Sequence, residues 1–163
     1  MTEPTHGLSG GAGEYYVCAE LSTRGFIAAL TLKNTEGVDI LASRPNSGRA
    51  VTIQVKTIQG ANRKWVMNMK HEKIVQSDLF YVFVRLGDVG RRPDFHVVPS
   101  SEIAAYVARN HREWLSGTKK NGAARKDTPM RSFSDLENDY LERWELLQGS
   151  FSNATPATPS NLL

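Results

Sequence analysis

In Val51-Thr52-Ile53-Gln54-Val55-Lys56 the apolar residues alternate with others that can do chemistry. Strand residues two apart share a face, so Val51, Ile53 and Val55 point one way while Gln54 and Lys56 stand side by side on the other. The turn Pro45-Asn46-Ser47-Gly48 separates this run from Val38 to Ser43 and predicts a hairpin. Centring the turn between Asn46 and Ser47 sets Asp39 opposite Gln54, on the same face as Lys56. Glu14 precedes Val17, Cys18 and Leu21 by three, four and seven residues, on the inward stripe of a helix, where a carboxylate needs a partner. An inward carboxylate, an aspartate, a side-chain amide and a lysine converging on a sheet edge suit a hard divalent cation. Asp39, Gln54 and Glu14 would supply oxygen ligands to Mg²⁺ or Mn²⁺, with water filling the remaining positions. Such an ion activates water and offsets charge on a phosphodiester, while Lys56 orients the nucleophile or stabilises the transition state.

The elements that must position these groups follow in order. Residues 1 to 12, with most of the leading glycines and little apolar content, read as a flexible lead, and a helix is expected over 14 to 24 with Gly25 as its stop. Strands are expected at Phe26 to Leu32, Val38 to Ser43 and Ala50 to Ile58. A polar, basic crossover from Gln59 to Asp78 leads to Leu79 to Leu86, whose near-continuous apolar run predicts a strand covered on both faces. Phe95 to Val98 reads as a short strand ending at Pro99, and Ser100 as the cap of a helix reaching about Ser116. Residues 117 to 131 read as a basic loop. Ser134 and Glu137 form a capping box for a last helix to about Gln148, with Leu136, Tyr140, Leu141, Trp144 and Leu147 on its apolar face. The fold class is α/β: a mixed central sheet flanked by helices, in one domain over 13 to 148, with a disordered tail over 149 to 163.

Gly13-Glu14 opening a helix, Gly25-Phe26, Val38-Asp39-Ile40 and Gln54-Val55-Lys56, in that order, resemble the PD-(D/E)XK, or restriction-endonuclease-like, nuclease superfamily. The order and spacing are similar to those of Holliday junction resolvases and of small bacterial members of the superfamily, over residues 13 to 99. The resemblance implies a metal-dependent nuclease acting on duplex or branched DNA, with Asp39 and Gln54 as metal ligands, Lys56 in catalysis and Glu14 completing the site. Two positions depart from the pattern. Val38 stands where proline is common, and Gln54 where most members carry a carboxylate, which implies weaker metal binding.

Charge distribution bears on a polyanionic partner. Residues 44 to 73 carry Arg44, Arg49, Lys56, Arg63, Lys64, Lys70 and Lys73 against Glu72 alone, and residues 109 to 126 form a second basic block against Glu113. Arg49, Arg63, Lys64, Lys119 and Lys120 are the expected backbone contacts, and Trp65, inside the first block, the expected stacking residue or else an anchor of the crossover. Residues 135 to 145 are acidic, so a third use of the chain, as an interaction protein working through its last helix, stands beside the nuclease and a non-catalytic nucleic-acid-binding module. That helix is also the candidate face for a homodimer.

Other chemistries lack their residues. His6, His71, His96 and His111 have no metal-ligand spacing to one another or to Cys18, and neither a nucleophile elbow, a P-loop nor a Gly-x-Gly-x-x-Gly occurs. The single cysteine fits a reducing cytoplasm, and no apolar run is long enough to span a bilayer.

Overall fold

A computed structural model describes residues 5–32 and 37–151 of the 163-residue chain. The expectations for residues 1–4, 33–36 and 152–163 lie outside it. In chain order the elements are α1 (His6–Thr23), β1 (Ile27–Leu30), β2 (Ile40–Ser43), β3 (Ala50–Gln59), β4 (Trp65–Asn68), a 3₁₀ turn (Met69–Glu72), β5 (Leu79–Leu86), β6 (Asp94–Pro99), α2 (Ser100–Ser116), β7 (Met130–Phe133) and α3 (Glu145–Gly149).

Five strands form one sheet in the order β1-β2-β3-β5-β6, and β4 pairs with β7 in a second, two-stranded sheet. Only the β3–β5 pair is parallel, so the main sheet is mixed, as expected. The β2–β3 register is the expected one over Ile40–Ser43, where Ile40 faces Ile53 and Leu41 faces Thr52, but the pairing ends at Ile40 and the expected pair of Asp39 with Gln54 does not form, because the Asp39 amide donates to the Ile53 carbonyl. Asn46 and Gly48, both with φ of 63°, make the turn between them.

The main sheet is covered on both faces. Val17 and Leu21 of α1 pack with Ile53, Val55, Val82 and Phe95 on one face, where Trp144 and Leu147 close the layer. On the other face Tyr81, Phe83 and Val98 meet Trp65 and Met67 of β4, Phe133 of β7, and Ile103 and Val107 of α2. Leu79 to Val84 of β5 are therefore buried throughout, the reading expected of a strand covered on both faces.

Four further expectations are corrected. Helix α1 begins at His6 and not at Glu14, so residues 6 to 12 of the expected flexible lead are helical. Its buried residues Ser9, Gly13, Val17 and Leu21 form a stripe at four-residue spacing, and Gly13, one of four glycines that argue against a helix on propensity, lets it lie close to β3. The crossover contains β4 and a 3₁₀ turn. Ser100 does not cap α2: Pro99 is the N-cap residue, and the Ser100 hydroxyl donates to the Gln76 carbonyl at 2.7 Å while accepting from its amide at 2.9 Å. The long last helix is absent, and α3 spans only five residues. Asn138 and Glu142 take positive φ, and the Asp135 carboxylate binds the amides of Asp139 and Tyr140, folding 135 to 144 into turns. Leu136 faces outward, while Trp144 and Leu147 are buried in the chain's own core and leave no aromatic helix face for a homodimer.

Candidate active site

Asp39, Gln54 and Lys56 are brought together where β2 and β3 begin to part. The Asp39 amide donates to the carbonyl of Ile53, the residue that Ile40 already faces, at 2.9 Å, so the ladder slips by one residue and ends here. The Asp39 carboxylate then accepts from the Val55 amide at 2.7 Å, standing in for the backbone oxygen that β2 no longer offers. This one hydrogen bond fixes the carboxylate against the strand that carries Gln54 and Lys56 on either side of Val55.

Gln54 is only 8% exposed and lines a cleft of about 290 Å³ with Val38, Lys70, His71 and Tyr81. Lys56 lines a second, larger cleft of about 720 Å³ with His6, Ser9, Asn62 and Lys64. Burial lowers the Lys56 pKa from the ordinary lysine value, the Asp39 charge opposes that shift, and Lys70 adds to it. A lysine that is poorly solvated, with a carboxylate and a second ammonium in electrostatic reach, is the environment in which an ammonium interacts strongly with an incoming phosphate.

Glu14 is half-buried on α1, next to Gly13, which touches β3 at Thr57. A Cβ at Gly13 would stand 2.0 Å from the Thr57 Oγ1, and that hydroxyl is buried with no hydrogen-bond partner among the described residues. The Glu14 charge reaches Cys18, whose thiol pKa is raised first by burial and then by that carboxylate. Among the described residues no three His, Cys, Asp or Glu side chains cluster as a metal-binding group. Asp39 and the neutral Gln54 oxygen are hard oxygen donors of the kind that would suit a largely hydrated Mg²⁺, held weakly.

The basic residues separate. Lys64 lies in the Lys56 cleft, and Arg63 is exposed in the loop between β3 and β4. Lys119 and Lys120 are exposed beyond α2. Arg49 lies roughly 16 Å from Gln54 along the strand and lines a different cleft, with Ser77 and Asp78. Trp65 is corrected as a stacking residue: it is 2% exposed, its indole N–H donates to the Val84 carbonyl at 3.2 Å, and its ring meets Phe83, His96 and Phe133. It is the anchor of the crossover. His96 is structural as well, its Nδ1 paired with the buried Asp135 carboxylate at 2.7 Å.

His71, Tyr81 and Lys70 escape the sequence reading. Tyr81 lies beside Gln54 in the parallel β3–β5 register, so period-two alternation alone puts it on the same face. His71 comes from the 3₁₀ turn, which Asn68 caps by accepting from the Lys70 amide at 3.0 Å. Its Nδ1 sits 2.7 Å from the Tyr81 hydroxyl. Burial, then the Lys56 and Lys70 charges, push the His71 pKa from 6.5 down to about 4, and burial pushes Tyr81 up to about 12. Both are neutral at pH 7. Unfolded, His71 takes a proton near pH 6.5, so between that pH and about 4 the folded chain binds fewer protons and stability falls as the pH drops. The loss is expected to be about 2 to 3 kcal/mol over this window, and urea unfolding of His71→Gln should show a flatter acid limb than the wild type.

No family model and no curated protein matches the chain. Its fold is similar to that of a bacterial homing endonuclease, at a TM-score of 0.53 and 16% identity, with 90% of this chain and 94% of that one covered. A Holliday junction resolvase from the archaeal hyperthermophile Archaeoglobus fulgidus superposes at a TM-score of 0.48 and 12% identity, over 86% of this chain and 95% of that one. The chain thus shares the fold of the homing endonuclease, a mixed sheet flanked by helices as expected from the sequence. Among the described residues no helix is long and apolar enough to cross a membrane.

Proposed function

We propose that this chain is a metal-dependent nuclease that hydrolyses DNA phosphodiester bonds at Asp39, Gln54 and Lys56. The observation that carries the reading is the hydrogen bond from the Val55 amide to the Asp39 carboxylate, which locks an acid between an amide oxygen and a half-buried lysine on one strand pair. The nuclease fold of the similar homing endonuclease supports it.

Asp39 and Gln54 would hold Mg²⁺, with Glu14 completing the set from α1. The ion would supply charge neutralisation at the phosphate and a lowered pKa for water. The chain's own part is positional and electrostatic. Asp39 is held by the Val55 amide, so its carboxylate does not have to be ordered on binding. Lys56 presents an ammonium whose poor solvation strengthens its attraction to the charge that develops on the phosphoryl oxygens. His71, neutral and bonded to Tyr81, keeps the wall of the Gln54 cleft free of a further positive charge. Lys64, Arg63, Lys119 and Lys120 supply cations for neighbouring phosphates.

Gln54 also supports a second reading, a nucleic-acid-binding module that no longer holds metal. A Mg²⁺ titration of plasmid nicking separates the two. The wild type should nick with a high half-saturating Mg²⁺ concentration, and Gln54→Glu should lower it about tenfold because a further carboxylate joins the set. Salt-sensitive DNA binding by both proteins with no nicking at any Mg²⁺ or Mn²⁺ concentration would leave the binding module.

A further inference from the structure

The Lys56 cleft does not end at Lys64. Lys64 and Val66 also line a smaller cleft of about 160 Å³, walled by His111 and Trp114 of α2 and by Met130 and Arg131 at β7. Its surface is apolar and open. Alternation along β4 and β7 buries Trp65, Met67, Arg131 and Phe133, and turns Val66 and Met130 outward, where they are 64% and 63% exposed. Trp114 is 41% exposed, whereas the other two tryptophans, Trp65 and Trp144, are buried.

The indole has two close neighbours. The Arg125 guanidinium lies 5.0 Å from the Trp114 ring centroid and donates to the Trp114 carbonyl at 2.6 Å. His111 lies 5.4 Å from the indole at an interplanar angle of 23°. The nearby acid is already engaged: Asp127 accepts from or bonds to His111 Nε2 at 2.7 Å and lies 3.6 Å from Arg131, which is itself paired with Glu72. Lys64 thus lines the cleft with an exposed valine, methionine and indole, and Arg125 lies against that indole.

We infer that this cleft holds an unpaired nucleobase of the strand that passes Lys56. An isolated exposed apolar residue is ordinary, but an aromatic–guanidinium pair with two apolar neighbours, beside Lys64 and continuous with the Lys56 cleft, matches a base with its phosphate beside it. Bases inside a duplex are stacked on one another and do not offer those faces. The substrate class is therefore DNA with unpaired bases next to the bound phosphate, a single strand or a branch with a single-stranded arm, in preference to continuous duplex. The position of the strand at Lys56 rests on the nuclease reading, while binding of the base itself does not require cleavage.

The test uses the full chain in EDTA, so that cutting and binding are read apart. A short fluorescein-labelled single strand and a duplex of the same sequence are compared by anisotropy, with tryptophan emission followed in parallel on unlabelled DNA. The single strand should bind more tightly and quench Trp114, and Trp114→Ala should weaken single-strand binding about tenfold while duplex affinity changes less than about twofold. Met130→Ser, at an exposed position, should shift single-strand binding in the same direction if the Trp114 variant folds poorly. Lys64→Ala should weaken both DNAs and flatten the salt dependence. Unchanged single-strand affinity in both the Trp114 and Met130 variants, or equal losses on duplex, would overturn the inference. So would a self-association, seen by sedimentation, that Met130→Glu abolishes. A persistent single-strand preference without metal-dependent cleavage would remove the nuclease reading and leave the base site standing.

Discussion

Asp39→Ala is expected to abolish metal-dependent cleavage and also to lower the unfolding free energy by about 1 to 3 kcal/mol, two effects with one cause. The carboxylate accepts from the Val55 amide at the point where β2 leaves the ladder, so its removal orphans a part-buried N–H. It also takes away the carboxylate beside Gln54 and the charge that offsets the burial of Lys56. Asp39→Asn separates the two effects. Its amide oxygen can still accept from Val55, so most of the stability should return in urea unfolding, while nicking stays at least about a thousandfold down because the carboxylate next to Gln54 and Lys56 is gone. A stable Asp39→Asn protein that cuts as well as the wild type would place the chemistry elsewhere.

Gly13→Ala is expected to destabilise the chain by about 1 to 3 kcal/mol, although alanine is the better helix former by roughly 1 kcal/mol. Steric contact decides the sign. The new Cβ would sit 2.0 Å from the Thr57 Oγ1, with Thr57 Cβ and Cγ2 at 3.1 and 3.2 Å, so α1 must lift from β3. In a Thr57→Ala background the Oγ1 and Cγ2 are gone, and the same substitution should become neutral or stabilising as the helix preference takes over. Thr57→Ala alone should cost little, since the hydroxyl it deletes has no hydrogen-bond partner among the described residues. A double-mutant cycle by urea unfolding reads the coupling directly. Because Glu14 follows Gly13, lifting α1 should also raise the Mg²⁺ concentration that half-maximal nicking needs, and the Thr57→Ala background should bring it back down.

The strand pair that holds the site is legible in the sequence because its information is local. Period-two alternation separates Gln54 and Lys56 from Val55, and a short turn sets the β2–β3 register over Ile40–Ser43, though not the slip at Asp39. The start of α1 is not legible, because Gly7, Gly10, Gly11 and Gly13 argue against a helix by propensity and only the close approach to Thr57 gives Gly13 a reason to be there. Strand β4 is hidden for a different cause. Its four residues pair with β7, more than sixty positions later, and Trp65 reads as a free stacking residue until that partner and β5 cover it. At the C-terminal end a capping-box pattern is overridden by Asp135, which binds His96 and the amides of Asp139 and Tyr140 in place of starting a long helix. His71 enters the cleft through the same hidden crossover, so nothing near it in sequence marks it. Trp114, by contrast, sits at apolar spacing in a helix read correctly, and only its exposure shows that it is not core.

The central claim is that Lys56, beside Asp39 and Gln54, takes part in cutting DNA. The measurement that addresses it most directly is cleavage of supercoiled, linear, branched and single-stranded DNA in Mg²⁺ or Mn²⁺ by the wild type, Lys56→Ala and Lys56→Arg, each first shown to be folded. Metal-dependent cutting by the wild type, lost in Lys56→Ala and partly kept in Lys56→Arg, is the predicted result. Undiminished cutting by Lys56→Ala, or no cutting of any substrate by the wild type, would contradict it.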